Sequence, residues 1–174
     1  MHTLNLCQIQ IFIAAELILE ESPIVCGPVK NTIPVCLSCY SNLDSQNVNI
    51  CSTCHFPFCS EKCKTSEEHQ AECSIFNEQN VKISVEKFNY QNTQKEYDLI
   101  MPLRILSLKT NPSKWKPLWK LMSQLDQLKK NSEWVEKQKY VVDYILNILK
   151  LPNVTEDMIL TVLAIDKING ITCK

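Results

Sequence analysis

Glycine is almost missing from this chain of 174 residues; only Gly27 and Gly170 occur. Glycine-rich loops let backbone N–H groups close on a phosphate, so no nucleotide cradle of that kind can be built here. Long apolar runs are lacking too. Leu4 to Ala15 comes nearest, but Asn5, Gln8 and Gln10 interrupt it and no Lys or Arg precedes it. A secretory signal wants a cationic start, a clean apolar stretch and a small-residue cleavage site, and a bilayer span needs about 20 apolar residues. The expectation is an intracellular protein of the nucleus or cytoplasm, with no membrane partner. Ten cysteines fit such a reducing compartment, where clustered thiols hold metal and not disulfides.

The formal charge of −1 hides an asymmetry. Residues 1–73 carry three lysines against eight acids, and residues 74–174 carry fifteen Lys/Arg against eleven acids. Gripping nucleic acid means neutralising several phosphates, which an acidic segment repels. No direct DNA contact is expected from the first part. The mildly basic second part reads as lysines on solvated helix faces.

What the sequence has in abundance is cysteine at short, paired intervals. The pattern is Cys36-x2-Cys39, eleven residues, Cys51-x2-Cys54, four residues, Cys59-x3-Cys63, five residues, His69-x3-Cys73. Seven thiols and one imidazole make two complete tetrahedral zinc sites with nothing left over. A Cys-x2-Cys turn lets two thiolates reach one ion, and the two x3 pairs sit at i, i+4, on one face of a helical turn. Ser66-Glu67-Glu68-His69 favours a short helix there. Spacing alone leaves the grouping open. Sequential pairing puts Cys36, Cys39, Cys51 and Cys54 on one ion, with Cys59, Cys63, His69 and Cys73 on the other. Interleaved pairing puts Cys36, Cys39, Cys59 and Cys63 together, against Cys51, Cys54, His69 and Cys73. With four protein donors each, either arrangement closes both sites and makes them structural. Binding one such ion contributes on the order of 10 kcal/mol to folding, and the stretch lacks core-forming periodicity, so metal is expected to hold it.

The remaining candidates are set aside on chemistry. His55 would crowd Cys54 and leave Cys73 without its helical partner, so it reads as a loop residue. Cys7, Cys26 and Cys173 have no ligand-spaced neighbours and read as plain thiols. His2 is terminal. Trp115 and Trp119, at i, i+4, and Trp134 read as helical core.

Before the cysteines, Glu16 to Val29 holds two apolar runs split by Ser22-Pro23 and closed at Gly27-Pro28, an extended segment that pairs with something. After about Ser84 the periodicity turns helical. Helices are expected over about 95–108 and 113–129, with Pro117 near a start or kink. Val141, Tyr144, Ile145, Ile148 and Leu149 form an apolar stripe stopped by Leu151-Pro152. Thr155 is a fitting N-cap for a helix over about 156–168, ended by Asn169-Gly170.

The eight-residue pattern resembles the MYND zinc finger, and that resemblance implies the interleaved grouping. Glu16 to Pro28 resembles the strand pair preceding the finger in SET and MYND domain proteins of the arthropod type. Pro34-Val-Cys-Leu-Ser-Cys-Tyr40 is similar to the finger's start, and Tyr97-Asp-Leu-Ile-Met-Pro-Leu-Arg104 to the helical insertion that follows. The implied fold is a small zinc-stabilised finger with little regular structure, preceded by a short β segment and followed by an all-α region. Its parts are 1–34 (partial SET strands), 35–73 (finger) and 74–174 (helical insertion).

The family's activity is methyl transfer from S-adenosylmethionine to a protein lysine. Its glycine-rich cofactor loop should lie near residue 5, yet no glycine precedes Gly27, and no His follows an Asn. The chain stops at Lys174, roughly where the family's later SET half should begin. No catalytic or cofactor-binding residue carries over, so the expectation for this chain is no enzyme. It is a module binding two structural Zn2+ and a partner peptide, of the proline-containing kind the family favours. The alternative is a lysine methyltransferase, if the chain is a fragment of a complete enzyme.

Overall fold

A computed structural model describes residue 20 and residues 22–84 and 88–171. The element order begins with a two-residue hairpin, β1 (Asn49–Ile50) antiparallel to β2 (Pro57–Phe58). Then come α1 (Glu61–Lys64), α2 (Glu67–Glu78), a 3-10 turn over Lys95–Leu99, α3 (Ile100–Ser107) and a second 3-10 turn over Leu108–Thr110. The chain continues through α4 (Pro112–Trp119), α5 (Leu125–Leu128), α6 (Ser132–Asp143), a π turn over Tyr144–Ile148 and α7 (Glu156–Asn169).

The short β segment expected ahead of the finger is not found among the described residues. Residues 22–34 contain no strand, and the two-stranded sheet lies inside the cysteine-rich region instead. Residues 1–19, 21, 85–87 and 172–174 lie outside the described residues, and with them positions 16–19 and 21 of the expected strand pair, His2, Cys7 and Cys173. What the described part does is dock. Val25 packs against the core, the Cys26 carbonyl accepts from Arg104 at 2.9 Å, and an added Cβ on Gly27 would meet Met101 Sδ at 3.1 Å.

The helical half follows its local chemistry with two departures. Thr155 caps α7, its hydroxyl accepting from Met158 N at 3.2 Å, with Glu156 and Asp157 in the first turn. Gly170 ends the helix in extended geometry, where a Cβ would sit 2.5 Å from the Asp166 carbonyl oxygen. The single helix expected over 113–129 is broken in two. Pro112 starts α4, Pro117 forfeits a hydrogen bond inside it, and Gln124 takes a left-handed φ of 50°. Leu121 and Met122 stay exposed in that break, so no burial rewards a continued helix there. The stripe over 141–149 is also shifted. The π turn, closed by Leu149 N donating to Tyr144 O at 2.9 Å, adds a residue to the turn and rotates Ile148 outward to 50% exposure. Val141, Ile145 and Leu149 remain buried.

The core is continuous across both halves. Leu37, Phe56, Phe58 and Phe76 from the cysteine-rich side are fully buried with Tyr97, Leu99, Ile100 and Leu103 from the helical side. Phe56 meets Phe76 and Tyr97 edge-on, at centroid distances of 5.8 and 5.5 Å. This corrects the expectation that metal alone holds the cysteine-rich stretch. Its aromatics are few and aperiodic, which hid them, but they bury against a partner distant in sequence. Trp134 is core as expected and Trp115 packs partly buried against that core, whereas Trp119, stacked on Trp115 at 4.7 Å, is 38% exposed.

Candidate metal centre

Two turns of the same build present the Cys-x2-Cys pairs. Cys36 N donates to Ser41 O at 2.9 Å and Tyr40 N to Cys36 O at 2.8 Å. Cys51 N donates to Phe56 O and His55 N to Cys51 O, both at 3.0 Å. Each turn needs a left-handed residue just after its second cysteine, and the chain supplies Tyr40 (φ 59°) and His55 (φ 66°). A glycine would take that conformation without steric cost. His55 is therefore a turn residue whose side chain joins neither donor cluster.

Helices present the other two pairs. Ser60 caps α1 by accepting from Cys63 N at 3.2 Å, and this one-turn helix brings Cys59 Sγ and Cys63 Sγ to 3.6 Å. On α2, His69 and Cys73 share one face a turn apart. Ser38, inside the first turn, donates to Cys63 O at 2.7 Å and bonds Ser66, the residue leading into α2.

These elements gather the eight side chains into two groups. Cys36, Cys39, Cys59 and Cys63 form one, and Cys51, Cys54, His69 and Cys73 the other, with the donor atoms of each group within 4.8 Å of one another. The grouping is the interleaved one. Neighbouring donors stand at 3.5 Å (Cys39–Cys59), 3.7 Å (Cys51–Cys73) and 3.3 Å (Cys54 Sγ to His69 Nε2). Four thiolates at about 2.3 Å from a tetrahedral zinc would lie about 3.8 Å apart, so the donor set fits that ion in number, softness and spacing.

The electrostatics call for a cation. Burial raises the Cys54 thiol well above its ordinary range and Cys73 to about 11. Cys59 is pushed up to about 12, by loss of water and by its sulfur neighbours, while Cys39 falls to about 6 because the Ser41 hydroxyl bonds its sulfur. Left alone, Cys54, Cys59 and Cys73 keep their protons, and a bound cation is what lets every thiol of a cluster ionise together. His69 is suited to such a role. Burial lowers its pKa and keeps the ring neutral, and Nδ1 donates to the Lys64 carbonyl at 2.5 Å, leaving the Nε2 lone pair for an ion.

A further group ties the centre to the helices and was not legible as a site. Arg104 of α3 spends all five of its N–H donors. Nε and Nη2 bond the Glu72 carboxylate at 2.8 and 2.5 Å, Nη2 also bonds Leu37 O at 2.9 Å, and Nη1 bonds Cys26 O and Tyr40 Oη, both at 2.9 Å. Leu37 lies inside the first cysteine turn, and Glu72 adjoins Cys73. Burial raises the Glu72 pKa against the pull of Arg104, while Glu72 and Tyr40 outweigh burial and keep the guanidinium charged. The one signal was a single charge in the otherwise uncharged stretch Ile-Met-Pro-Leu-Arg-Ile-Leu-Ser of α3. Tyr97 works similarly, its hydroxyl donating to Val35 O at 3.0 Å beside Cys36.

Fold and site together define a mostly helical protein with two cysteine-rich clusters, each able to hold a metal ion. No family model and no solved structure matches the chain. Among curated proteins it is similar to the SET domain-containing protein SmydA-8, isoform A, of Drosophila melanogaster, with 40% identity over 65 residues. That match covers 36% of this chain and 14% of the relative, so the chain spans a small part of that protein's length. No helix among the described residues is long and apolar enough to cross a membrane.

Proposed function

We propose that this chain is a zinc-dependent protein-interaction module of the SET and MYND type. Cys36, Cys39, Cys59 and Cys63 hold one Zn2+, and Cys51, Cys54, His69 and Cys73 hold the other. The observation that carries the reading is the pair of complete four-donor groups, each suited to a tetrahedral ion with no position left for water. A zinc held in this way supplies rigidity and no hydrolytic chemistry. The ions fix the two cysteine turns, α1 and the start of α2, and so present a shaped surface to a partner peptide of the proline-containing kind. Direct DNA contact is not part of this reading, because the cysteine-rich region is acidic. Elemental analysis of purified protein should return two zinc equivalents. Calorimetry with proline-rich peptides should show binding that chelation abolishes. Markedly less than two equivalents, or peptide binding that survives metal removal, would refute the proposal.

The similarity to a SET domain-containing protein favours one second reading: the chain is part of a lysine methyltransferase. That reading requires S-adenosylmethionine binding. The scarcity of glycine argues against a cofactor loop within residues 1–174, so titration of labelled cofactor should give no micromolar binding. Saturable binding in that range would decide for the enzyme.

A further inference from the structure

The two clusters differ in what covers them. In the first, Cys39 and Cys59 stand at the surface and Cys63 is half-buried, with only Cys36 fully enclosed. In the second, Cys51, Cys54 and His69 are all buried and only Cys73 is half-buried. The two exposed sulfurs are also neighbours, with Cys39 Sγ 3.5 Å from Cys59 Sγ. They come from separate segments, the first cysteine turn and the residue after β2, so a bond between them would cross-link the region. A dissolved oxidant meets a neighbouring pair of exposed sulfurs only in the first cluster, since in the second Cys73 alone is partly exposed and its neighbour Cys51 is buried.

Resting on the zinc reading above, we infer that Cys39 and Cys59 form an oxidant-responsive pair: a small hydroperoxide converts them to a disulfide and releases one of the two ions. The Cys39 sulfur attacks a peroxide oxygen, an S–O bond forms, the O–O bond breaks, and the departing hydroxide takes a proton to become water. The Cys59 sulfur then attacks the Cys39 sulfur, the S–S bond forms, the S–O bond breaks, and the second oxygen leaves as water with another proton. Two sulfurs give up two electrons, and one hydrogen peroxide becomes two waters. Cys36 and Cys63 are too few to retain the ion. A dithiol reductant reverses the disulfide, and the cluster can then reload. The second cluster has a pair at similar distance, Cys51 and Cys73 at 3.7 Å, but Cys51 is buried and Cys73 only partly exposed, so its oxidation is slowed by the need to open the structure locally.

The test uses the full chain with Cys7, Cys26 and Cys173 replaced by Ser, which removes every thiol outside the clusters. Zinc content is measured first, then hydrogen peroxide is added in excess, so that both clusters can be oxidised and the two releases compared in rate. Zinc release is followed with a chromogenic chelator, and disulfides are mapped by peptide mass spectrometry. One equivalent of zinc should appear at least about tenfold faster than the second, with Cys39–Cys59 as the first disulfide and reloading after dithiothreitol. Release of both ions in a single phase overturns the inference, as does a first disulfide between Cys51 and Cys73 or no release at all. Fewer than two zinc equivalents before oxidation overturns the zinc reading, whereas two equivalents lost together overturns this inference alone. If the triple variant loads poorly, the same mapping on the native sequence decides.

Discussion

Arg104 is the place where a single substitution should do the most damage without touching a donor to either cluster. Its side chain is 4% exposed and Glu72 is 0% exposed, so neither charge has water to fall back on. Arg104→Met keeps much of the volume but leaves the Glu72 carboxylate buried and alone, a change that typically costs about 3–5 kcal/mol. Leu37 O, Cys26 O and Tyr40 Oη lose donors as well, which keeps the cost toward the upper end. Urea unfolding at pH 7.5 with saturating zinc reads the difference. Glu72→Gln strands the guanidinium and should cost a similar amount. The double variant should cost at least about 2 kcal/mol less than the sum of the singles, because the two act as a unit. The sign with pH is fixed. In Arg104→Met, Glu72 has a folded pKa raised above its unfolded value, so its stability is present at low pH and lost as pH rises through the folded value. The gap between variant and parent should therefore narrow on going from pH 7.5 to pH 6. A cost below about 1 kcal/mol, or a gap that widens on acidification, would refute the reasoning.

Other perturbations have equally definite outcomes. Strong chelation should loosen the two cysteine turns, α1 and the start of α2, while α6 and α7 keep most of their helical circular dichroism; an unchanged spectrum would sink the structural role of the ions. Zinc affinity should fall steeply between pH 8 and pH 6, because Cys54, Cys59 and Cys73 hold their protons tightly when no ion is present and binding must displace them. A competition titration flat across that window would contradict the donor set. His55→Gly should retain both zinc equivalents and match or exceed the parent in stability, by up to about 1 kcal/mol, since it relieves a left-handed φ of 66°; loss of one ion would make His55 a donor after all. Tyr97→Phe removes a buried hydroxyl bond to Val35 O and should cost about 1–3 kcal/mol in thermal or urea unfolding.

How much of this was readable from the chain depends on the range over which each feature is encoded. The donor pairs are local: x2 and x3 spacings specify a tight turn and a helical turn without help from elsewhere, and α7 with its Thr155 cap is equally self-contained. The β segment before residue 35 was read from β-prone composition. In the described part that stretch is bound by Arg104 and by packing on Met101, neither of which leaves a mark on its own sequence. The break after α4 was missed because Leu118, Leu121, Leu125 and Leu128 keep a helical rhythm. Rhythm cannot say whether a partner surface exists, and at Leu121 none does among the described residues. The π turn escaped for a related reason, since a one-residue insertion changes which side of the stripe faces inward without changing its composition.

The helix α2 shows why metal and core cannot be assigned to separate halves of this protein. Along its first three turns, His69 and Cys73 face the second donor cluster, and Glu72 and Phe76 meet Arg104 and Phe56. Orienting one set orients the other, because an α-helix transmits rotation rigidly from turn to turn. An ion at Cys51, Cys54, His69 and Cys73 therefore also aims Glu72 at Arg104, and Arg104 returns the constraint to the first cluster through Leu37 O between Cys36 and Cys39. Burial of Phe56 and Phe76 against Tyr97 in turn holds the donors near their bound positions, which lowers the ordering cost when an ion arrives. The two clusters share no donor, yet this chain of buried contacts couples them, so weakening Arg104 should loosen both.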